Sequence, residues 1–333
     1  MRARPHATGW PSARPKRSTP VPSVPVISRV LGGLGRVLIV TGLLILGFVA
    51  YQLWGTGLEE SRRQDDLTHQ LAADSGVKVD RPTDASATQV ANALGKIDPA
   101  TAPATAPPAA GEPIGVIEIP KIDLARVMVQ GTERADLKKG PGHYTATPMP
   151  GQAGNAGVAG HRTTYGAPFN RIDELAPGDE VIVSTPQGRF TYVVIPAPGS
   201  TTQAWYTVDP SETDVLADKG DNRITLTACH PKYSASQRII VNAMLRTPPA
   251  PTAPAPPQPA TPAKAIDAGL GSTPDQLPGA LAFGGAAALV ALLAWLVARK
   301  AGHRVIIYAV AAPLVLFLVW NMYVHLDRYL PAI

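Results

Sequence analysis

Residues 224–245 read ITLTACHPKYSASQRIIVNAML and decide how this chain is expected to fold. Two runs rich in β-branched residues, ITLTAC at 224–229 and RIIVNAML at 238–245, flank a short polar segment. Runs of this kind, bounded by turn-forming residues, are typical of two strands joined in a hairpin. The first run ends at Cys229, the one cysteine among the 333 residues. The stretch therefore predicts a hairpin with a lone thiol at the end of a strand.

Five similar runs precede this hairpin and extend the β-rich region over residues 113–246. They are VIEI at 116–119, ARVMVQG at 125–131, GVAG at 157–160, EVIVST at 180–185 and FTYVVI at 190–195. Gly and Pro separate the runs, and one short helical turn fits PFNRIDELAP at 168–177. Many short strands with turn signals between them indicate a mainly β fold, either a barrel or a sandwich.

Three long apolar segments lie outside this region, at residues 37–54, 279–298 and 305–325. Each is close to the roughly 20 apolar residues that a membrane-spanning helix needs. For 37–54 the alternative is a cleaved signal peptide, but no small-residue cleavage site follows it. For the other two segments the alternative is a buried helical hairpin. We expect three transmembrane helices.

Basic residues predict the orientation of these helices. Residues 1–36 contain seven Arg and Lys and no acidic residue, and RKAGHR at 299–304 joins the last two apolar segments. Cytoplasmic segments carry such an excess, so we expect a disordered cytoplasmic tail, a cytoplasmic loop and an extracytoplasmic region at 113–246. A tail that binds nucleic acid or anionic lipid is the alternative. Residues 113–246 contain 13 basic and 13 acidic residues, which argues against a nucleic-acid partner.

The remaining segments are predicted as connectors. Residues 55–112 are polar and then rich in Ala, Thr and Pro, which is typical of an extracytoplasmic stalk with a short helix within 59–74. Residues 247–278 form a Pro-rich linker, and their first part favours polyproline II. Residues 326–333 are expected to be a short tail.

Composition excludes several classes of protein. With 35 Pro, 30 Gly and only 17% charged residues, the chain is unlike one compact globule, and it lacks the regular Gly of collagen. A single cysteine excludes an intrachain disulfide and a zinc site built on CxxC pairs. No group of carboxylates has the spacing of a calcium loop. We therefore expect neither a metal nor a cofactor.

Cys229 is the candidate nucleophile, and the alternative is a small buried apolar residue. A thiolate needs a proton carrier, and the β-rich region offers His143, His161 and His230. Neighbouring side chains on a strand face opposite sides, which makes His230 the poorest partner, whereas spacing does not separate the other two. Arg238 opens the second strand and could stabilise an oxyanion if the hairpin returns it to the thiol. The alternative is a surface arginine.

Four motifs occur in a specific order: GPGHY at 140–144, AGHRTTYG at 159–166, TLTACHP at 225–231 and QRIIV at 237–241. Together they resemble the sortase family of membrane-anchored cysteine transpeptidases from Gram-positive bacteria. The resemblance covers about residues 113–246 and is strongest to the class E sortases of actinobacteria. It implies an eight-stranded β-barrel with short helices.

The resemblance also implies roles for particular residues. Cys229 matches the nucleophile, His161 the general acid and base, and Arg238 the arginine that holds substrate and steadies the oxyanion. Thr227, Tyr165 and His143 lie within the same motifs and are candidates for substrate binding. Ala228 stands where the family usually carries Thr, and two C-terminal apolar segments are unusual for class E.

The reaction implied by the resemblance cleaves a sorting signal of the LPxTG or LAxTG type between Thr and Gly. The implied partners are secreted proteins with such C-terminal signals, and an amine acceptor on a peptidoglycan precursor or a pilin lysine. Two alternatives remain: a non-catalytic, membrane-tethered barrel that binds sorting signals or cell-wall material, and a cysteine protease that hydrolyses such signals.

Overall fold

The computed structural model describes residues 26–76, 84–253, 270 and 274–330. Predictions that concern residues 1–25, and most of the Pro-rich linker at 254–269, lie outside the described residues. The chain divides into two units, Met1–Gly47 and Phe48–Ile333. In the first unit, helix α1 (Val26–Ala50) begins at Val26, and its side chains from Val30 onward are largely exposed and apolar.

The described residues of the second unit form nine strands in one sheet. They are β1 (Pro113–Ile119), β2 (Leu124–Gln130), β3 (Gly142–His143), β4 (Asn155–Ala159), β5 (Glu180–Thr185), β6 (Gly188–Val194), β7 (Trp205–Val208), β8 (Arg223–His230) and β9 (Gln237–Leu245). Their order is β6-β5-β1-β2-β3-β4-β8-β9, and pairing of β6 with β9 closes eight of them into a ring. Strand β7 extends the sheet from β9. The closed eight-stranded barrel implied by the resemblance is confirmed.

Every second side chain of β8 and β9 points into the barrel and packs in its core. Leu226 and Ala228 of β8, together with Ile239 and Val241 of β9, belong to the main apolar core and are fully buried. Successive side chains on a strand face opposite sides of the sheet. The residues adjacent to these on each strand therefore lie on the outer face, and Cys229, which follows Ala228, is one of them.

Residues 55–112 differ from the predicted stalk because part of them packs against the barrel. They contain helices α2 (Thr56–Asp74) and α3 (Asp84–Leu94), whose apolar faces share a buried cluster with the outer faces of β1 and β2. Gln64 fixes the contact: its Nε2 donates to the carbonyl of Val127 at 2.9 Å, and its Oε1 accepts from the Val127 amide at 2.8 Å. Apolar residues at helical spacing, such as Leu67 and Leu71, are the sequence signal for this packing.

Helices α5 (Leu277–Lys300) and α6 (Arg304–Tyr329) form an antiparallel pair joined by three residues. Large apolar side chains cover their outer surface, for example Leu281 at 67% and Leu316 at 68% exposure. Within the part of the chain that the structure describes, three helical segments are long and apolar enough to cross a membrane: Val30–Asp74, Leu277–Lys300 and Arg304–Tyr329. So much exposed apolar surface is unfavourable in water and favours a lipid environment.

Candidate functional site

The β8–β9 hairpin places the candidate nucleophile directly opposite the candidate oxyanion residue. Cys229 pairs with Arg238 in the antiparallel register, one step beyond the pair of Ala228 and Ile239. Directly opposed residues in such a ladder present their side chains on the same face. Since Ala228 and Ile239 face the barrel core, Cys229 and Arg238 face outward. The predicted return of Arg238 to the thiol is thus present in the register.

Elements of the surrounding chain cover this outward face. Cys229 and Arg238 are each only 1% exposed. Cys229 belongs to a small apolar cluster that is separate from the barrel core, and Leu270 of the linker is a buried member of it. The other members are Leu137, Tyr144 and Ala159, with Leu216 and Ala235 packed against them. The thiol therefore lies in an apolar setting that already holds a leucine side chain.

His161 is carried towards Cys229 by the pairing of β4 with β8. These strands run parallel, with Ala159 opposite Thr227, and the Gly160 amide continues the ladder by donating to the carbonyl of Thr227 at 3.0 Å. His161 and Cys229 each lie two residues beyond that last pair. The register therefore directs both residues to the same end of the barrel, where Arg238 also lies.

The His161 ring is fully buried and electrically neutral at ordinary pH. Its exposure is 0%, and among the described residues neither ring nitrogen has a hydrogen-bond partner. Burial, reinforced by the charges of Arg134 and Lys138, lowers the pKa of His161 to about 3, against an opposing effect of Asp327. Burial of polar atoms without a hydrogen-bond partner costs free energy, which makes the His161 ring an unusual feature of the barrel.

Arg162 ties the His161 loop to the end of β8, a role that the sequence did not indicate. Its Nη1 donates to the carbonyl of Cys229 at 3.3 Å and to Nδ1 of His230 at 2.8 Å. Its Nη2 forms an ion pair with Asp173 at 2.8 Å. A guanidinium that is 1% exposed and makes several directed bonds fixes geometry rather than only contributing charge. The signal was its place next to His161 in the GHR motif.

The three further candidates for substrate binding are engaged in hydrogen bonds within the protein. The hydroxyl of Thr227 lies 2.8 Å from Oη of Tyr144. The ring nitrogens of His143 lie 2.8 Å from Oε1 of Gln130 and 2.9 Å from the carbonyl of Pro148, and burial lowers its pKa to about 4. Tyr165 is fully buried beside His161, with 5.2 Å between the ring centroids.

An open cleft of about 430 Å³ lies next to this end of the barrel, and Cys229, His161 and Arg238 are not among its lining residues. The cleft is lined by the residues that follow His161 and by those that follow Cys229, together with the ends of two helices. These lining residues are Phe48, Gln52, Leu53, Thr163, Thr164, Tyr233, Ser234, Ala235, Asp327 and Leu330. Within the described ranges, no group of three or more His, Cys, Asp or Glu side chains is arranged to hold a metal ion.

Comparison with known proteins finds similarity to the sortases. Residues 117–246 match the family model described as the sortase domain. Sortase SrtE1 of Streptomyces coelicolor is 31% identical over 216 residues, which cover 62% of this chain and 55% of that protein. Sortase D of Bacillus subtilis is 29% identical over 195 residues, which cover 58% of this chain and 86% of that protein. This chain therefore contains a region, residues 117–246, that is similar to the sortase domain.

Two solved sortase structures are also similar to this chain in sequence. Sortase E of Streptomyces avermitilis is 35% identical, and the match covers 42% of this chain and 91% of that one with a TM-score of 0.36. A sortase of Corynebacterium diphtheriae, SrtF, is 30% identical, with coverage of 47% and 96% and a TM-score of 0.41. The chain spans about half the length of the curated Streptomyces coelicolor relative. The similarity to sortases supports a transpeptidase role in general terms.

Proposed function

We propose that this protein is a membrane-anchored cysteine transpeptidase that acts on a sorting signal of the LPxTG or LAxTG type. The observation that carries the proposal is the opposition of Cys229 and Arg238 across β8 and β9, at the end of the barrel to which His161 is directed. A thiol, a neutral imidazole and a guanidinium are the groups needed for acyl transfer through a thioester.

In the first half-reaction, neutral His161 accepts the thiol proton and the sulfur of Cys229 attacks the carbonyl carbon of the signal threonine. Arg238 donates hydrogen bonds to the oxyanion that develops. His161 then returns the proton to the glycine amine as the Thr–Gly bond breaks, which leaves the acyl group on sulfur. Because burial lowers the pKa of His161, its imidazole is unprotonated before the reaction begins.

In the second half-reaction, an amine attacks the thioester carbonyl and gives up a proton to His161. The new amide forms, and the C–S bond breaks with return of the proton to Cys229. The acceptor amine belongs to a peptidoglycan precursor or to a pilin lysine. Leu270 supports a leucine-containing signal, because a leucine side chain already packs in the apolar cluster that includes Cys229.

We propose that the barrel faces the outside of the cell and that the N-terminus is cytoplasmic. Arg299, Lys300 and Arg304 lie at the turn between α5 and α6, at the opposite end of these helices from Gln276 and His325, whose side chains are within 3.1 Å. The positive-inside tendency assigns that turn to the cytoplasm. Secreted proteins with C-terminal sorting signals are then the protein substrates.

The test uses the full chain in nanodiscs with LPxTG and LAxTG peptides and candidate amines, read by mass spectrometry. We expect a thioacyl adduct on wild-type protein, amide product with a suitable amine, and neither with Cys229→Ala. Product formation by Cys229→Ala would overturn the proposal. Hydrolysis that is unchanged by any amine would indicate a protease, and binding without an adduct would indicate a non-catalytic barrel.

A further inference from the structure

Asp327 is a buried carboxylate near the end of α6, and it contacts the barrel. Its side chain is 3% exposed. Its Oδ2 accepts a hydrogen bond from Oη of Tyr165 at 2.5 Å and forms an ion pair with Nζ of Lys138 at 3.1 Å. The guanidinium of Arg134 lies 3.9 Å from the same oxygen. A carboxylate is buried at little net cost only when it is paired in this way, so the contact is specific.

The backbone at the end of α6 takes part in the same contact. Nη2 of Arg134 donates to the carbonyl of Asp327 at 2.5 Å and to that of Leu330 at 3.1 Å. Arg134 is the first residue of the short helix α4 (Arg134–Leu137), and Lys138 follows its last residue. Leu137 of this helix is a member of the apolar cluster that contains Cys229. The end of α6 is thus hydrogen-bonded to α4, the helix that contributes Leu137 to the apolar cluster around the thiol.

Tyr165 forms the second connection, from Asp327 to His161. The Tyr165 ring lies 5.2 Å from the His161 ring, centroid to centroid, and the ammonium of Lys138 lies 4.7 Å from the Tyr165 centroid on its face. The backbone of Tyr165 has φ of 49°, a left-handed conformation that a bulky residue adopts only when its surroundings hold it there. The hydroxyl of Thr56 accepts from the Tyr165 amide at 3.1 Å and provides part of that hold.

We infer that Asp327 is a positioning residue for the sortase site. It fixes Tyr165 against the His161 ring and balances the two cations of Arg134 and Lys138 beside that ring, so that the C-terminal helix pair completes the site. The inference rests on the proposed function, since it assigns the α5–α6 pair a part in that chemistry.

The charges around His161 explain why the position of Asp327 requires a negative charge as well as a hydrogen-bond acceptor. Arg134 and Lys138 both disfavour a proton on His161, whereas Asp327 favours one. His161 must hold a proton transiently between the departure of the thiol proton and the release of the amine. Without Asp327, two uncompensated cations would oppose that intermediate state.

Four variants of the full chain in nanodiscs test the inference. Asp327→Ala removes the charge and the acceptor, Asp327→Asn removes the charge alone, and Tyr165→Phe removes the hydroxyl alone. Arg328→Ala is the matched control, because Arg328 follows Asp327 on α6 and is exposed. Thermal unfolding first establishes that each variant is folded, and Asp327→Asn carries the test if Asp327→Ala does not fold.

Two readouts separate positioning from mere structural support. We expect Asp327→Ala and Tyr165→Phe to lower kcat by about 10- to 100-fold with KM within about twofold, the usual scale for small misplacement of reacting groups. The double variant Asp327→Ala/Tyr165→Phe should lose no more kcat than the worse of the two single variants, because both substitutions disrupt the same contact. Arg328→Ala should match the wild type. Additive losses, or a wild-type kcat in Asp327→Ala, would overturn the inference.

The second readout does not depend on sortase activity. Cys229 is the one cysteine in the sequence, so alkylation by iodoacetamide, followed by mass across pH 5–10, reports on this thiol alone. We expect Asp327→Asn to displace the pH profile of alkylation from that of the wild type, as His161→Ala does, and Arg328→Ala to leave it in place. An undisplaced profile in Asp327→Asn would contradict the inference even if no peptide proves to be a substrate. If the profile is displaced but no peptide is turned over, the influence of Asp327 on the site is supported and the proposed function is contradicted.

Discussion

Cys229 and Arg238 are direct partners across the antiparallel β8–β9 ladder, although eight residues separate them in the sequence. Their neighbours Ala228 and Ile239 face the barrel core, which leaves both functional side chains on one outer face. The hairpin thereby determines the distance between the proposed sulfur nucleophile and a positively charged side chain. This arrangement makes the contribution of Arg238 to the reaction measurable.

Arg238→Ala is expected to lower kcat by about 10²–10³-fold, the usual cost of removing one oxyanion donor. Arg238 is 1% exposed, so the guanidinium acts where water does not compete strongly. Steady-state kinetics with a sorting-signal peptide provide the measurement. Arg246→Ala, at an exposed position just beyond β9, is the control and should retain activity. Near wild-type kcat in Arg238→Ala would mean that the arginine has no role at the oxyanion.

Arg162→Gln is expected to destabilise the barrel by about 1–3 kcal/mol, the scale for losing hydrogen bonds that involve a charged group. The variant loses the ion pair to Asp173 and the bonds to the Cys229 carbonyl and to His230. Chemical denaturation measures the loss. Arg171→Gln tests the same substitution in an exposed ion-pair network and should change stability by less than about 1 kcal/mol. Equal effects of the two variants would contradict the structural role given to Arg162.

Stability should fall as the pH drops from about 6.5 towards 4. Burial lowers the pKa of His143 to about 4 and that of His161 to about 3 in the folded protein. The unfolded chain therefore binds protons in this window while the folded chain does not, and acid favours unfolding. Each histidine contributes a slope of about 1.4 kcal/mol per pH unit. Denaturation at several pH values measures the slope.

His143→Gln separates this effect from general acid sensitivity. The variant should be less stable at neutral pH, because His143 bridges Gln130 and Pro148, but its stability should depend less steeply on pH. A slope identical to that of the wild type would show that His143 is not held neutral by burial.

Leu270→Ala is expected to raise the alkylation rate of Cys229 by several-fold and to lower KM for a leucine-containing signal peptide. Leu270 is 1% exposed within the cluster that contains the thiol, so its removal opens apolar space beside Cys229. Stopped alkylation assays read by mass provide the rate. Leu281→Ala changes an exposed leucine of α5 and serves as the control. An unchanged alkylation rate in Leu270→Ala would separate Leu270 from access to the thiol.

The sequence was sufficient where local pattern and fold agree. All seven predicted strand runs are present as strands, since β-branched residues between Gly and Pro favour extended backbone. It missed β3, which has two residues, and β7, whose aromatic run WYTV is short and partly exposed. Elements this short leave too little periodicity to recognise.

Only the site residues that lie within the sequence motifs could be predicted from the sequence. The pairing of Cys229 with Arg238 follows from one hairpin, but the choice of His161 needed a family resemblance. Asp327 lies 162 residues from Tyr165, and nothing in the residues around it indicates that contact. An acidic residue just beyond an apolar segment is ordinarily an interfacial charge. Contacts between distant segments depend on tertiary packing, which periodicity does not encode.

The return of α6 to the barrel bears on how such proteins are studied in solution. A preparation that ends at residue 253 would lack Asp327 and Leu270, and would leave Tyr165, Lys138 and Arg134 without their carboxylate. Its kinetic constants would describe an altered electrostatic environment rather than the intact enzyme. Excising the catalytic domain, which is usually a convenience, would here be a perturbation comparable to a substitution in the site.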